Sequence, residues 1–361
     1  EKVKDSIPII FIGSDPSYKP ELYLLSENRF VIRGEPELAM LELCNVLAAK
    51  KSDFSTIKGI SWRKNGHIIQ NKARDIIEDL DVLPSPNRMM LKFPYKYFNS
   101  KFKKQPSTTL LTSRGCAWQC IYCVPNSLSF SRELEWKRFY DNKPAVTKHS
   151  AEHVIEEFRE VAKQGFRSIA VLDDQFLWER SRTEKILDGI KDLKLEISVL
   201  ARADMITDIE LTKKMSKAGI AHVALGVESF NQEILNYVGK DINIETIDKA
   251  IRFIKESNMK PEINILLGSS PLETMQTIEE TLSKVKKLDV DVVRVSACTP
   301  FPGTTFYELA KKNRWMITED YVPIDPMNTT LISYPHLSNA NIVKAMRRFN
   351  RGHYFSYGYI I

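Results

Sequence analysis

From about residue 107 the chain alternates short apolar, β-branched runs with longer stretches whose apolar positions recur every three or four residues. This pattern predicts strands over 107–113, 168–172, 196–200, 222–225, 262–267 and 291–296. The predicted helices between them cover 151–163, 182–193, 209–218, 244–256 and 274–288. Strand and helix thus follow one another in an α/β fold, and the repeat suits an open six-stranded (β/α)6 partial barrel. A doubly wound sheet has the same period, so alternation alone does not separate the two. Both architectures place working residues at the C-terminal ends of the strands.

The first half of the chain is patterned differently. A strand over 7–12, a turn at 13–16, a strand over 29–33, a turn at 34–36 and a helix over 37–50 resemble the back half of a Rossmann-like α/β sheet, too small to make a stable core alone. Cys44 lies in the apolar pattern of that helix and is expected in its core. Glu35, just ahead of the helix, is expected to face its N-terminal dipole. Residues 51–107 read as a linker with a hairpin, 57–62 and 66–70, turning at Asn65-Gly66. Beyond it Pro84, Pro86 and Pro94 break regular structure, and the aromatics Phe93, Tyr95, Tyr97 and Phe98 alternate with lysines, a pattern read as packing between domains. Four regions result: 1–50, 51–107, a barrel over 108–305 and a capping extension over 306–361. Both ends are expected to be cut from a longer protein.

Composition narrows the class. With 43% hydrophobic and 27% charged residues the chain has an ordinary globular make-up, and its formal charge of +6 is modest. The basic residues are dispersed except at 101–104, read as a solvated linker, so no nucleic-acid partner is expected. No run is long enough for a transmembrane segment, and the start does not resemble a signal peptide.

Candidate chemistry enters with Cys116, Cys120 and Cys123, three of the five cysteines, on the loop after the first barrel strand. Thiolates are soft, strongly donating ligands, and a short loop can wrap a compact cluster. The spacing reads as three ligands to a four-iron cluster whose fourth iron stays open. A zinc site or three buried thiols are the alternatives. Structural zinc wants a fourth ligand, and the nearest downstream histidine, His149, has no matching spacing.

The CxxxCxxC loop, with Tyr122 directly before its last cysteine, resembles the signature of radical S-adenosylmethionine (SAM) enzymes. The resemblance implies a [4Fe-4S] cluster held by the three cysteines. SAM would be chelated at the open iron and cleaved by electron transfer to a 5'-deoxyadenosyl radical. Asp173-Asp174, Gly226-x-Glu228-Ser229, Gly268-x-x-Pro271-x-Glu273 and Thr299-Pro300-x-Pro302-Gly303 are similar to the family's strand-end elements. Around the cofactor, Asp173 and Asp174 suit the ammonium or sulfonium, or else cap a helix. Glu228 suits the ribose hydroxyls, or else nearby amides. Arg202 suits the cofactor carboxylate, and Gly268 a close passage of the cofactor. Ser269 departs from the usual hydrophobic residue.

The region before the barrel resembles the C-terminal half of a cobalamin-binding domain found ahead of one class of these enzymes. Gly13-Ser14 would approach the cobalamin, Gly34-Glu35-Pro36-Glu37 would open the last helix, and Asp79-x-Asp81-x-Leu83-Pro84 would lead to the barrel. The class's Asp-x-His-x-x-Gly element does not occur in the 361 residues. The implied function is a cobalamin-dependent C-methyltransferase, and the alternative is a radical cyclase, carbon–carbon bond-forming or rearranging enzyme. Cys298 is read as packing, as a hydrogen-atom donor or as a cobalamin contact, and Cys298 and Tyr307 are the catalytic candidates. Expected partners are an external electron donor such as a flavodoxin or ferredoxin and a small-molecule, lipid or peptide substrate. The tail aromatics Tyr307, Trp315, Tyr321, Tyr354, Phe355, Tyr357 and Tyr359 suit an apolar pocket or plain packing. Lys344, Arg347, Arg348 and Arg351 share one side of a helix and suit an anionic partner or solvent. Reduced thiols and an oxygen-sensitive cluster imply a cytoplasmic location.

Overall fold

The computed structural model describes residues 7–92, 94–288, 290 and 292–354. Phe93, Asp291, Phe355, Tyr357 and Tyr359, named above, lie outside the described residues. The chain forms two compact units: one comprises 1–80, 114–117 and 124–148, the other 81–113, 118–123 and 149–361.

The larger unit is built on a six-stranded sheet in which all neighbours are parallel: Ser107–Leu110, Ser168–Val171, Glu196–Ala201, Ile220–Glu228, Lys260–Leu267 and Val292–Ala297. Each strand lies beside the one before it in sequence. A doubly wound sheet would reverse its strand order midway, so this unbroken progression selects the partial barrel. Helices Ala151–Lys163, Arg180–Ile190, Ile209–Lys217, Ile244–Glu256 and Met275–Lys287 return the chain between strands. They bury Val154, Phe158, Ile186, Ile247 and Ile278 against strand residues such as Ile169, Val223, Ile263 and Val295. A short helix, Gln232–Tyr237, is additional to the expected set.

Two expectations about this unit change. The basic segment 101–104 is only in part a solvated linker: Lys103 and Lys104 are exposed, but Lys101 and Phe102 are not. Phe102 is buried and meets His222 edge-on at 6.0 Å, while Lys101 pairs with Glu262 at 2.7 Å and donates to Ser198 Oγ at 3.0 Å. Glu262 and His222 lie near the starts of their strands, so the segment plugs the N-terminal end of the barrel, where an unpaired carboxylate would be costly. The extension after 305 is also continuous with the barrel core. Ile332, Tyr334, Leu337, Ile342, Met346 and Phe349 belong to the same buried cluster, the last three from helix Asn339–Tyr354.

The smaller unit has a four-stranded sheet. Ile9–Phe11 pairs parallel with Arg29–Ile32, which pairs antiparallel with Ile60–Lys64, and His67–Gln70 follows. The hairpin assigned to the linker is therefore half of this sheet. Helix Pro36–Ala48 packs Ala39 and Leu43 against Phe30, Ile32, Ile60 and Trp62. Cys44, expected in that core, is exposed. It sits one residue, or about 100° of helical turn, from the buried Leu43.

Helix Ser127–Tyr140 was not expected, because it lacks an apolar stripe. Its buried positions include Ser129, Ser131, Arg132, Glu133 and Glu135. These serve a buried ionic network. Arg33 Nε donates to both oxygens of Glu135 at 3.1 and 2.9 Å, and Arg33 Nη1 donates to Ile60 O at 2.8 Å. Glu35, rather than facing a helix dipole, accepts from Arg114 at 2.9 Å and from Ile77 N at 2.8 Å. Glu37 takes the other branch of Arg114 at 2.7 Å.

Removing one partner of a buried pair leaves the other charge without compensation. Glu35→Ala is expected to destabilise the smaller unit by about 3–5 kcal/mol, measured by urea unfolding monitored through Trp62. In the barrel, Gly219 has φ +94° and a Cβ built there would stand 2.4 Å from Leu195 O. Gly219→Ala should cost at least about 2 kcal/mol, seen as a lowered denaturant midpoint with an unchanged slope.

Candidate functional site

The thiol loop is distributed over both units. Cys116 belongs to the segment 114–117 of the smaller unit, whereas Cys120 and Cys123 belong to 118–123 of the larger one. All three cysteines are half-buried and outside any disulfide.

In the smaller unit the loop's start is held by the helix that sequence reasoning missed. Gly115 N donates to Ser129 Oγ at 2.9 Å, and Arg132 Nη1 donates to Arg114 O at 2.8 Å. Gly115 has φ +94°, and a Cβ there would stand 3.2 Å from Arg132 Nη1. The Arg-Gly-Cys sequence thus combines an ion-paired anchor with a residue that tolerates the turn.

In the larger unit, the loop's second half is tied to the barrel's C-terminal end by main-chain bonds. Ile121 N donates to Val238 O at 3.0 Å, Phe306 N donates to Ile121 O at 2.9 Å, and Cys123 N closes a turn on Cys120 O at 3.1 Å. Gly239 has φ +66°, and Gln119 O would lie 3.1 Å from a Cβ there. The next residue, Lys240, is buried and donates to Glu228 Oε1 at 3.0 Å. Burial pulls the Lys240 ammonium down, but the Glu228 carboxylate and the Cys120 thiolate outweigh it, so the amine is held above its ordinary value and stays charged. Burial and then the Glu228, Cys120 and Cys123 charges push the Tyr122 phenol well up, so it remains a neutral donor facing Glu228.

Glu228 occupies an unusual backbone position, with φ +67°, at an irregularity in the strand register between Gly226 and Glu228. A Cβ on Gly226 would meet Glu228 Oε1 at 2.7 Å and Lys240 Nζ at 2.8 Å. The glycine therefore makes room for this ion pair.

The other expected residues fall as follows. Asp173 is fully buried and accepts from Thr112 N at 2.6 Å and Ser113 Oγ at 2.8 Å. It clasps the end of the first strand rather than capping a helix: the N-cap position of the next helix is Glu179, which makes no side-chain cap bond. Burial, only partly offset by the Thr112 and Ser113 donors, pushes its carboxyl up to about 6. Asp174 is half-buried beside it. Arg202 is forked onto Asp204 at 3.0 and 2.9 Å, donates to Lys240 O at 2.8 Å and lies 4.2 Å over the Trp118 ring, which stacks on Trp178 at 5.4 Å. Trp118, inside the thiol motif, was not singled out from sequence; cation–π contact with Arg202 gives it a role.

Gly268 has φ +75°, and its N–H and that of Ser269 donate to Glu273 at 2.8 Å each. Ser269 Oγ adds a third bond to Glu273 at 2.9 Å, which accounts for a polar residue at this position. Ile342 would stand 3.0 Å from a Cβ on Gly268, so this glycine admits the C-terminal helix. Cys298 is buried, its N–H on Leu267 O at 2.7 Å, and burial followed by the Glu273 and Glu228 charges keeps its thiol protonated. Tyr307 is also buried, and its hydroxyl donates to Asp320, anchoring the extension. In the smaller unit Gly13, with φ +110°, leads into the short helix Ser14–Tyr18.

The family model of the radical SAM superfamily matches residues 110–285. An uncharacterized methyltransferase of Pyrococcus horikoshii is 30% identical over 355 residues, covering 96% of this chain and 72% of that protein. The anaerobic magnesium-protoporphyrin IX monomethyl ester cyclase of Rubrivivax gelatinosus is 26% identical, and the match covers 82% of this chain but only 52% of the cyclase. Among solved structures, the cobalamin-dependent S-adenosylmethionine radical enzyme OxsB, with aqua-cobalamin and S-adenosylmethionine bound, superposes with a TM-score of 0.73 at 18% identity, covering 96% of this chain and 54% of OxsB. The chain belongs to the radical SAM superfamily, whose cofactors are a [4Fe-4S] cluster and S-adenosylmethionine.

Proposed function

We propose that this enzyme uses radical hydrogen abstraction from an unactivated carbon to drive ring closure, carbon–carbon bond formation or rearrangement of an organic substrate, in the cobalamin-associated class. The observation that carries the reading is the set of half-buried Tyr122 and Glu228 with buried Lys240 beside Cys120 and Cys123. It is a charged, preorganised mouth to the barrel beside thiols suited to three irons. The likeness to the magnesium-protoporphyrin ester cyclase favours ring-forming chemistry. Methyl transfer is the second reading, supported by the Pyrococcus relative. The likeness to OxsB supports cobalamin as a cofactor, with Gly13 and Ser14 as its proposed contacts.

When bound, the cluster and SAM supply a 5'-deoxyadenosyl radical strong enough to abstract hydrogen from an unactivated carbon. Cys116, Cys120 and Cys123 are the cluster ligands. Lys240 places positive charge near the Cys120 thiolate and fixes the orientation of Glu228. Glu228 is the proposed ribose partner, Asp174 the partner of the ammonium, and Arg202, held over the Trp118 ring, the partner of the carboxylate. Gly268 lets the strand-5 loop close tightly. Cys298, kept protonated by burial and neighbouring carboxylates, has the form needed to return a hydrogen atom. An external one-electron donor, such as a flavodoxin or ferredoxin, completes the scheme. Among the described residues no helix is long and apolar enough to cross a membrane.

Anaerobically reconstituted enzyme given SAM and a strong reductant is expected to release 5'-deoxyadenosine and methionine, and Cys120→Ser to reduce release to background. Absence of 5'-deoxyadenosine from protein carrying its full iron would overturn the assignment. With substrate extracts, 5'-deoxyadenosine without matching S-adenosylhomocysteine supports cyclisation or rearrangement, whereas equal amounts of both with a methylated product support methyl transfer. Glu228→Gln keeps shape but loses the charge opposite Lys240; SAM binding is expected to weaken about tenfold or more while iron content is unchanged, checked by calorimetric titration and iron analysis.

A further inference from the structure

Outside the thiol loop, His149 and His153 flank the start of helix Ala151–Lys163, where Ser150 is the N-cap. Asp81 comes from the linker. The three residues point donor atoms at one place: His149 Nδ1 stands 3.0 Å and His153 Nδ1 3.6 Å from the same oxygen, Asp81 Oδ1. Ligand atoms of the three all lie within 4.8 Å of one another, and the imidazoles stack with centroids 4.2 Å apart at 18°.

A hydrogen bond accounts for His149 but not for His153, whose 3.6 Å separation is too long for one. Two donors bound to one ion at about 2.0–2.1 Å stand roughly 3–3.5 Å apart, which takes in the 3.0 Å separation and lies within about 0.1 Å of the 3.6 Å one. The backbone of the site is already fixed. His149 N donates to Thr112 O at 3.0 Å, Arg182 Nε donates to His149 O at 2.9 Å, and Ser150 N donates to Asp81 Oδ1 at 3.0 Å. The side chains are 11%, 19% and 30% exposed for His149, His153 and Asp81, open enough for an ion and a completing water to enter.

We infer that Asp81, His149 and His153 bind a divalent d-block cation, with zinc the best match. Two imidazoles with one carboxylate are borderline-soft donors, which disfavours magnesium and calcium. Three protein ligands leave a coordination position for water. None of the cluster cysteines takes part. The bound ion staples the linker segment to the helix that follows the first strand of the barrel.

The test uses cluster-reconstituted protein, stripped of loose metal and then given zinc. Wild type is expected to keep one zinc per chain through desalting, in addition to its iron. Its zinc-edge X-ray absorption should show only nitrogen and oxygen neighbours, including histidine scattering. His153→Gln, which leaves the Asp81–His149 contact and the helix cap in place, should lose that zinc with iron per chain unchanged, and His149→Gln should do the same. Sulfur neighbours around zinc would place the ion at the thiols and overturn the inference. So would equal retention by wild type and His153→Gln, or no retained zinc in wild type.

Discussion

A buried ammonium fixes the geometry of the site. Lys240 lies under the loop that carries Cys120, and an unpaired cation there would be prohibitively costly, so Glu228 must meet it. That demand is met by a strand irregularity, a left-handed backbone at Glu228 and a side-chain-free Gly226. Strain of this kind persists only where its surroundings over-determine it, and here the ion pair, the Tyr122 donor and the main-chain bonds to Val238 do so. Sheet, charge and the Cys120–Cys123 part of the thiol loop are thereby held in one arrangement, as radical chemistry requires of a site that must position substrate and exclude water.

The smaller unit solves a different problem. Its sheet is short and its apolar cluster small, and much of its interior is charge satisfied by charge. Arg33, Glu35, Arg114 and Glu135 are all nearly inaccessible, yet each has a close partner of opposite sign. Such networks add little stability over an apolar core but tolerate few alternative pairings. Using them around the Arg114-Gly115-Cys116 turn favours a single loop conformation over maximal stability.

Legibility in the sequence followed the kind of physics involved. The parallel strands and amphipathic helices of the barrel were readable because each has one apolar face, and boundaries moved by at most three residues, as with 209–218 against Ile209–Lys217 and 222–225 against Ile220–Glu228. Helix Ser127–Tyr140 was invisible because its buried face is polar. Cys44 was misplaced because periodicity gives a face only to within about one residue. The inward turn of Lys101 and Phe102 was missed because lysines normally mark solvent, and only the Glu262 partner of Lys101 reverses that. His149, dismissed for lacking a metal-site spacing in sequence, meets Asp81 and His153 through the fold.

The chain alone determined the barrel's order of elements and the identity of its chemistry, because hydrophobic period and three closely spaced thiols are local properties. Which residues share the site was decided by tertiary structure. Glu228 with Lys240, Arg202 with Trp118, Glu273 with Ser269 and the sheet shared by 9–11 and 60–70 all depend on close approach of side chains or strands that spacing does not encode. Burial and charge compensation are properties of packed neighbours, and they exist only once the chain has folded.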